Sequence, residues 1–495
     1  MTQRDTMAAY RAGGLLRLLC SMAYLGLLLS IVLPGGADAY KPISDESLKA
    51  LPQATDNDFD IHSGALLAPI LRPRVPGTPG STAVLNHFVT FFRTALPDWN
   101  ITFQNSTSKT PVTGNKDVPF VNLIASRDPP WAAPGDVGRL TLVAHYDSKY
   151  APEGFIGAID SAAPCAMIMH AVRSIDAALT RKWAAMEAEG LLADGAWLDE
   201  HRGIQVIFLD GEEAFKDWSA TDSLYGSRAL AEYWDQQVNP AMSTFKTPLS
   251  QISLFVLLDL LGSPNPTVKS YFKTTHWAYR HMATLEQRMR DLGLFKSSLN
   301  HPGRHPNKRS KNNNKAAGRA DAAKIEPHWL IDASKAEHEL STFSGIQDDH
   351  IPFLARGVEV LHVIDTPNGA GFPEVWHTMA DDGEHLDIPT VEDWSMLVTA
   401  FAAEWMELDG FIVQNNNIVS NELNSSTDDA NANARVPASQ AERQTQTQTG
   451  SAVPSQESTS GAESKPGAKW NKRNNDPKNN KNNNDNNNKR RNTEL

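Results

Sequence analysis

Four short apolar runs, Arg139 to Ala144, Ile204 to Leu209, Ile252 to Leu258 and Val358 to Ile364, carry almost no alternation of polar and apolar positions. Such runs predict strands buried on both faces of a sheet. Pro119 to Ile124 is a weaker fifth run. Helical spacing lies between them: Ala162 to Leu179 behind Asp160-Ser161, Leu224 to Val238 behind Thr221-Asp222-Ser223, Thr275 to Leu292 stopped by Gly293, and Val391 to Leu408. The polar triplet before Leu224 predicts an N-cap, and Gly293 a C-cap. Strands alternating with helices predict an α/β fold with helices on both faces of the sheet. There is no internal repeat, GxGxxG or P-loop pattern.

The strand ends are polar. His145-Tyr146-Asp147 follows the first run, Asp210-Gly211-Glu212-Glu213 the second and Asp259 the third, while His362 lies within the fourth. Open α/β sheets bind ligands at the carboxyl ends of their strands. Side chains i and i+1 of a regular strand point apart. In a glycine-turned loop just beyond one, Glu212 and Glu213 can converge and divide their labour between metal ligation and proton transfer. Asp160 and His377 are further candidate ligands, since a catalytic zinc site takes three His, Asp or Glu side chains and leaves one position open. Their spacing alone proves nothing, and no HExxH occurs.

Composition narrows the picture. The chain has 495 residues and a net charge of -12, which argues against nucleic-acid binding by the whole chain. Arg4, Arg11 and Arg17 precede the apolar run Leu18 to Leu33 and a small-x-small site, Ala37-Asp38-Ala39. Residues 1–39 read as a signal peptide, with an uncleaved signal anchor as the alternative. Both readings send the chain into the secretory pathway, as a secreted protein or one held in the ER or Golgi lumen; a cleaved signal leaves no stable membrane span. Asn100-Ile101-Thr102, Asn105-Ser106-Thr107 and Asn424-Ser425-Ser426 are sequons. Residues 414–495 are rich in Asn, Gln and Ser and predict a disordered tail, and 297–344 read as a low-complexity insertion in a surface loop. The catalytic domain is expected over 40–413. Of the two cysteines, Cys20 lies in the signal segment, and Cys165 reads as a small buried residue.

Longer motifs carry a family resemblance. His145-Tyr146-Asp147-Ser148-Lys149, the segment Gly157 to Ala166, Phe208 to Phe215, Asp222 to Arg228, Leu257 to Gly262, Ile346-Gln347-Asp348-Asp349-His350-Ile351-Pro352-Phe353 and Phe372-Pro373-Glu374-Val375-Trp376-His377-Thr378 together resemble animal and fungal glutaminyl cyclases. The match runs in order from about Ser44 to Leu408. It implies the fold of the zinc exopeptidases, a three-layer α/β/α arrangement with a central mixed, mostly parallel sheet. It also implies one zinc per chain on Asp160, Glu213 and His377, with Glu212 shuttling protons in a hydrogen-bonded acid network with Asp259 and Asp348. Trp218, Phe372 and Trp376 would line the substrate pocket, Gln347 would offer a backbone contact, and His362 and His145 would lie near the site. The implied substrates are peptides or proteins with N-terminal Gln, which would be cyclised to pyroglutamate with release of ammonia.

The alternative of the same fold is a two-metal zinc aminopeptidase, in which His145, Asp160 and Asp259 hold a second ion. Ile159-Asp160-Ser161-Ala162-Ala163-Pro164 lacks the paired acids and glycines of those peptidases. A binding ectodomain without catalysis is disfavoured by the intact Asp160, Glu212, Glu213 and His377. The chain also departs from the resemblance. Ala144 stands where many relatives have a cysteine paired with the Cys165 position. Asn368 to Gly371 reads as a short insertion beside the pocket, and Arg181 to Arg202 and 297–344 as lengthened loops.

Overall fold

Six strands form one sheet: β1 (Asn100–Lys109), β2 (Asp117–Arg127), β3 (Gly138–His145), β4 (Arg202–Leu209), β5 (Ile252–Asp259) and β6 (Val360–Ile364), in the order β1-β2-β4-β3-β5-β6. The β4-β3-β5-β6 neighbours pair in parallel, and β2 pairs antiparallel with both β1 and β4. The sheet is therefore mixed and mostly parallel, as expected. This is a computed structural model, and it describes residues 41–188, 202–301, 326–340, 345–367 and 371–413. All of them belong to one compact unit, Met1–Ile418, while a second unit, Val419–Leu495, lies outside the described residues. The expected signal segment 1–39, the tail 414–495 and residues 368–370 also lie outside them. No helix among the described residues is long and apolar enough to cross a membrane.

The main helices are α1 (Pro79–Ala95), α2 (Ala163–Ala188), α3 (Tyr225–Gln236), α4 (His276–Asp291) and α5 (Ile388–Trp405). Successive strand side chains point to opposite faces, and the two faces carry separate cores. Leu140, Leu142 and Ala144 of β3 join Ile204, Val206 and Phe208 of β4 in the larger core, with side chains of α1, α2, α4 and α5. Val143, Ile207 and Leu209 enter the other core with Leu230 and Ala231 of α3 and with Phe353. This is the three-layer α/β/α arrangement.

Two elements are additional to those the apolar pattern predicts. Strand β1 is largely exposed, and its ladder to β2 holds it rather than a hydrophobic face. Helix α1 has Thr78 as N-cap and Pro79 in its first turn, and it buries Val84, Phe88, Phe91 and Phe92 at helical spacing. Two expectations are corrected. The triplet Thr221-Asp222-Ser223 does not cap α3, whose N-cap is Leu224 at φ 53 with no side-chain cap bond. Asp222 faces backwards and accepts from the N–H groups of Phe215, Lys216 and Asp217 at 2.9, 2.9 and 3.0 Å. The stretch 297–344 is not surface loop throughout. Trp329 and Leu330 are buried, Leu330 bridges to Val268, and Trp329 stacks on Trp394 at 4.7 Å. Glu286 accepts from the N–H groups of Trp329 and Leu330. The C-cap of α4 is Leu292, and Gly293, expected to end the helix, follows it at a left-handed φ of 69.

Strand register then assembles the site. His145 lies opposite Leu209, and Asp259 opposite Ile364. The carboxyl ends of β3, β4, β5 and β6 thus lie side by side, and the polar residues beyond them meet over one edge of the sheet.

Candidate active site

Glu212 and Glu213 leave β4 through Gly211, whose φ of 76 is left-handed. A Cβ there would lie 2.4 Å from the Phe120 ring, so only glycine fits this turn. Asp147 fixes the backbone just beyond the glycine: its two carboxylate oxygens accept from the N–H groups of Glu212 and Glu213 at 3.0 and 3.1 Å. The N–H of Leu224 donates to Glu212 O at 2.9 Å. Both glutamates are buried, on a backbone with little freedom.

Asp160 stands on a turn, Ala158–Ala162, just before α2. Gly157 opens that turn at φ 66, where a Cβ would lie 2.2 Å from Asp160 O. Two buried side chains clamp it. The Arg74 guanidinium donates to Gly157 O and Asp160 O at 2.9 and 3.2 Å, and also to Ile156 O. Asp381 accepts from the N–H of Ile159 at 2.8 Å, and its backbone oxygen from that of Ala158. His377 arrives from the loop before α5 at φ 57, a region that residues other than glycine seldom occupy. Its ring stacks on Trp376 at 3.7 Å and 20°, which holds the orientation.

The three expected ligands converge. Nε2 of His377 lies 3.5 Å from Asp160 Oδ2 and 3.6 Å from Glu213 Oε2. One donor atom from each of the three lies within 4.8 Å of the others. Burial lowers the His377 pKa to about 4, so the ring is neutral and keeps a lone pair. The Glu213 carboxyl is pushed well up by burial and by Asp160, and its Oε1 is buried without a hydrogen-bond partner. Two carboxylates and a neutral imidazole around a shared space fit a divalent cation that prefers mixed oxygen and nitrogen donors. Lys149 places Nζ 3.2 Å from Glu213 Oε2 and supplies a nearby positive charge.

Glu212 is raised well above the ordinary carboxylate range by burial, which His145 opposes and the charges of Glu213, Asp348 and Asp349 reinforce. Among the described residues no hydrogen bond joins the Glu212 carboxylate to Asp259 or Asp348, and of that expected network Asp348 acts on it through charge. Asp259 instead accepts from Ser161 Oγ and from the N–H of Leu260, and burial with the Asp348 charge lifts it to about 6. Asp348 lies 2.7 Å from His362 Nε2. Burial works to raise Asp348, but the hydrogen bond and charge of His362 outweigh it and hold the carboxyl below its usual value. His350 joins this group with its ring 4.6 Å from that of His362, and burial takes it down to about 3.

His145 lies among three carboxylates, with Nδ1 3.4 Å from Asp147 and Nε2 2.9 Å from Asp160 and 3.6 Å from Asp259. Burial works against its charge, yet these partners raise it well above the usual histidine range. Cys165 is buried and donates to His145 O at 3.2 Å; burial pushes its thiol to about 12, so it serves as the small packed residue expected.

The aromatic residues form two groups. Phe372 lies 4.2 Å from Trp376, which carries the stack onward to His377. Trp218 Nε1 donates to the Gln347 side chain at 3.0 Å, so Gln347 meets the indole through its amide. Arg74, Asp147, Lys149 and Asp381 are site residues that the sequence did not single out. Asp147 and Lys149 stand inside the His145 to Lys149 motif, whereas Arg74 and Asp381 are charged residues whose burial no local pattern announces.

Comparison with known proteins adds a second line. The profile of peptidase family M28 matches residues 122–402. A glutaminyl-peptide cyclotransferase-like protein of Bos taurus is 35% identical over 382 residues, which are 76% of this chain and 84% of that one. The glutaminyl-peptide cyclotransferase of Bos taurus is 35% identical over 346 residues, 69% of this chain and 81% of that one. The crystal structure of Macrostomum lignano glutaminyl cyclase matches with a TM-score of 0.56 at 27% identity, over 75% of this chain and 96% of that one.

Proposed function

The chain belongs to peptidase family M28 and, within it, to the glutaminyl-peptide cyclotransferases, and from that premise we propose that it converts the N-terminal Gln of peptides and proteins to pyroglutamate with release of ammonia. The observation that carries this reading is the division between the adjacent acids: Glu213 shares a donor cluster with Asp160 and His377, while Glu212 beside it is a buried carboxyl of raised pKa. Asp160, Glu213 and His377 would hold one zinc ion. A zinc ion bound there supplies Lewis acidity toward the γ-carbonyl oxygen of the substrate glutamine.

The chain's own residues do the remainder. The substrate amine must lose a proton and attack its own γ-carbonyl carbon; the new C–N bond closes the lactam as the bond to the amide nitrogen breaks. Glu212 takes the proton from the amine and passes it to that nitrogen, which leaves as ammonia. A carboxyl raised toward neutrality suits both halves of the transfer. The reaction is intramolecular, so holding the glutamine folded supplies much of the advantage. Trp218, Phe372 and Trp376 would enclose its methylenes, with Gln347 beside Trp218. Asp259, Asp348 and His362 would set the field around Glu212. With residues 1–39 as a signal segment, the enzyme would meet its substrates in the secretory pathway.

The aminopeptidase reading rests on His145, Asp160 and Asp259, which also bring donor atoms within 4.8 Å of one another. Against it, both ring nitrogens of His145 face carboxylates. The surrounding carboxylates raise the ring well above the usual histidine range, and a protonated imidazole has no lone pair for a second metal. Metal removal separates the readings. A chelator should abolish ammonia release from a Gln-initiated peptide, and one equivalent of Zn2+ per chain should restore it. A need for two equivalents, or activity untouched by chelation, contradicts the assignment.

A further inference from the structure

A groove of about 670 Å³ lies beside the proposed site, and no step of the proposed reaction takes place in it. Its volume falls in the range of ligand clefts, roughly 300–1,000 Å³. The groove runs between the start of α3 and the turn Ile351–Leu354. Leu224, Phe272 and Ile346 give it an apolar lining. Ile351 and Leu354 extend that lining while remaining 37% and 38% exposed. Arg228 and Arg356 also line it with the acid Glu232; Arg228 donates to Ser223 O at 2.8 Å, and Arg356 Nε lies 3.3 Å from Asp235 at an exposed rim.

Three contacts tie the wall of the groove to the site. Gln347 belongs to its wall and bonds Trp218. Leu224 belongs to its wall and donates its N–H to Glu212 O. His350 belongs to its wall and lies against His362, the partner of Asp348. A substrate whose first residue is enclosed leads its second and later residues out of that pocket, and Gln347, bonded to Trp218, stands where the pocket edge and the groove wall meet. We infer that the groove is the subsite for the residues after the N-terminal glutamine, taking apolar side chains on Leu224, Ile351 and Leu354 and an acidic group at the arginines. The inference rests on the cyclase reading and adds a source of substrate preference to it. Contacts made alike in the ground and transition states appear in KM rather than kcat.

The test compares glutamine amide, which has no downstream residue, with a Gln-initiated hexapeptide bearing apolar residues at positions 2 and 3 and aspartate at position 4. Leu354→Glu places a charge in the lining at a half-exposed position, and Arg356→Glu reverses a rim charge. For both variants the kinetics on glutamine amide should stay within about twofold of wild type. For the hexapeptide KM should rise about five- to tenfold at unchanged kcat, the range expected for one lost apolar or charged contact. An unchanged hexapeptide KM in both variants, or equal changes on the two substrates, overturns the inference. If the wild-type protein cyclises neither substrate, the cyclase reading fails instead. Binding of the hexapeptide by calorimetry then decides the groove: weaker binding to Leu354→Glu keeps it, and equal binding overturns it.

Discussion

Glu212 and Glu213 are chain neighbours with different surroundings, and the difference is set by individual atoms. Glu213 faces Asp160, His377 and Lys149, whereas Glu212 faces His145 and the Asp348–Asp349 pair. If the first holds metal and the second moves a proton, substitutions should separate the two functions. Glu212→Gln should retain zinc, measured by metal analysis, and lose about 10²–10⁴-fold in kcat, the usual range for a general acid–base group. His377→Ala should lose the zinc itself. A Glu212→Gln enzyme near wild-type activity would contradict the proton-shuttle role. At this scale the sequence was legible where motifs were long: Asp160, Glu213 and His377 converge as expected. The residues that orient them were less so. Arg74 pairs with the backbone oxygens of a distant loop, and such a partner cannot be read from side-chain types.

At the scale of elements, Asp222 shows how one carboxylate shapes a loop. It gathers three consecutive N–H groups, Phe215 to Asp217, together with the hydroxyl of Tyr225 at 2.8 Å. Trp218 is the next residue along the chain. Asp222→Ala strips these donors of their acceptor and should lower stability by about 3 kcal/mol, near the upper range for a hydrogen-bonded charged group. It should also raise KM several-fold with a smaller change in kcat, because Trp218 loses its support while the Glu212 mount on Asp147 stays intact. Equal loss in kcat and KM would place Asp222 in the chemistry instead. The sequence showed a polar triplet before a helix, which ordinarily signals a cap. Only the path of the preceding loop decides which N–H groups lie within reach. The buried strands were legible because continuous apolar runs have one economical interpretation in an α/β chain. Strand β1 was not, since an edge strand held by its ladder needs no apolar pattern.

The whole molecule buries many acids at one end of its sheet, and acidity should therefore register in its stability. Asp365, just beyond β6, is a case outside the metal cluster. It accepts from the Thr267 N–H at 2.7 Å, its other oxygen has no partner, and burial raises it to about 7. A carboxyl whose folded pKa lies above its unfolded value binds its proton more tightly when folded. Its contribution is complete below the unfolded pKa and is lost as pH rises through about 7, at no more than about 1.4 kcal/mol per pH unit. Asp365→Asn removes that titration. In thermal melts from pH 4 to 8 the variant should gain on wild type as pH rises and level off above about 7, and parallel curves across that range would contradict the assigned burial cost. At this scale the α/β class with helices on both faces was legible from strands alternating with helices, and the mixed, three-layer arrangement from the family resemblance. The place of residues 326–340 was not: the stretch beside it is rich in lysine and asparagine, and that composition masked the short apolar run at Trp329-Leu330-Ile331.

The central claim is cyclisation rather than cleavage, on a scaffold that serves both. The most direct measurement incubates the purified, zinc-loaded protein with two peptides that differ only in their first residue, Gln or Leu, and monitors both by mass spectrometry. The account predicts that the Gln peptide loses ammonia and keeps every peptide bond, while the Leu peptide is unchanged. Release of free leucine, or of free glutamine from the other peptide, would contradict it.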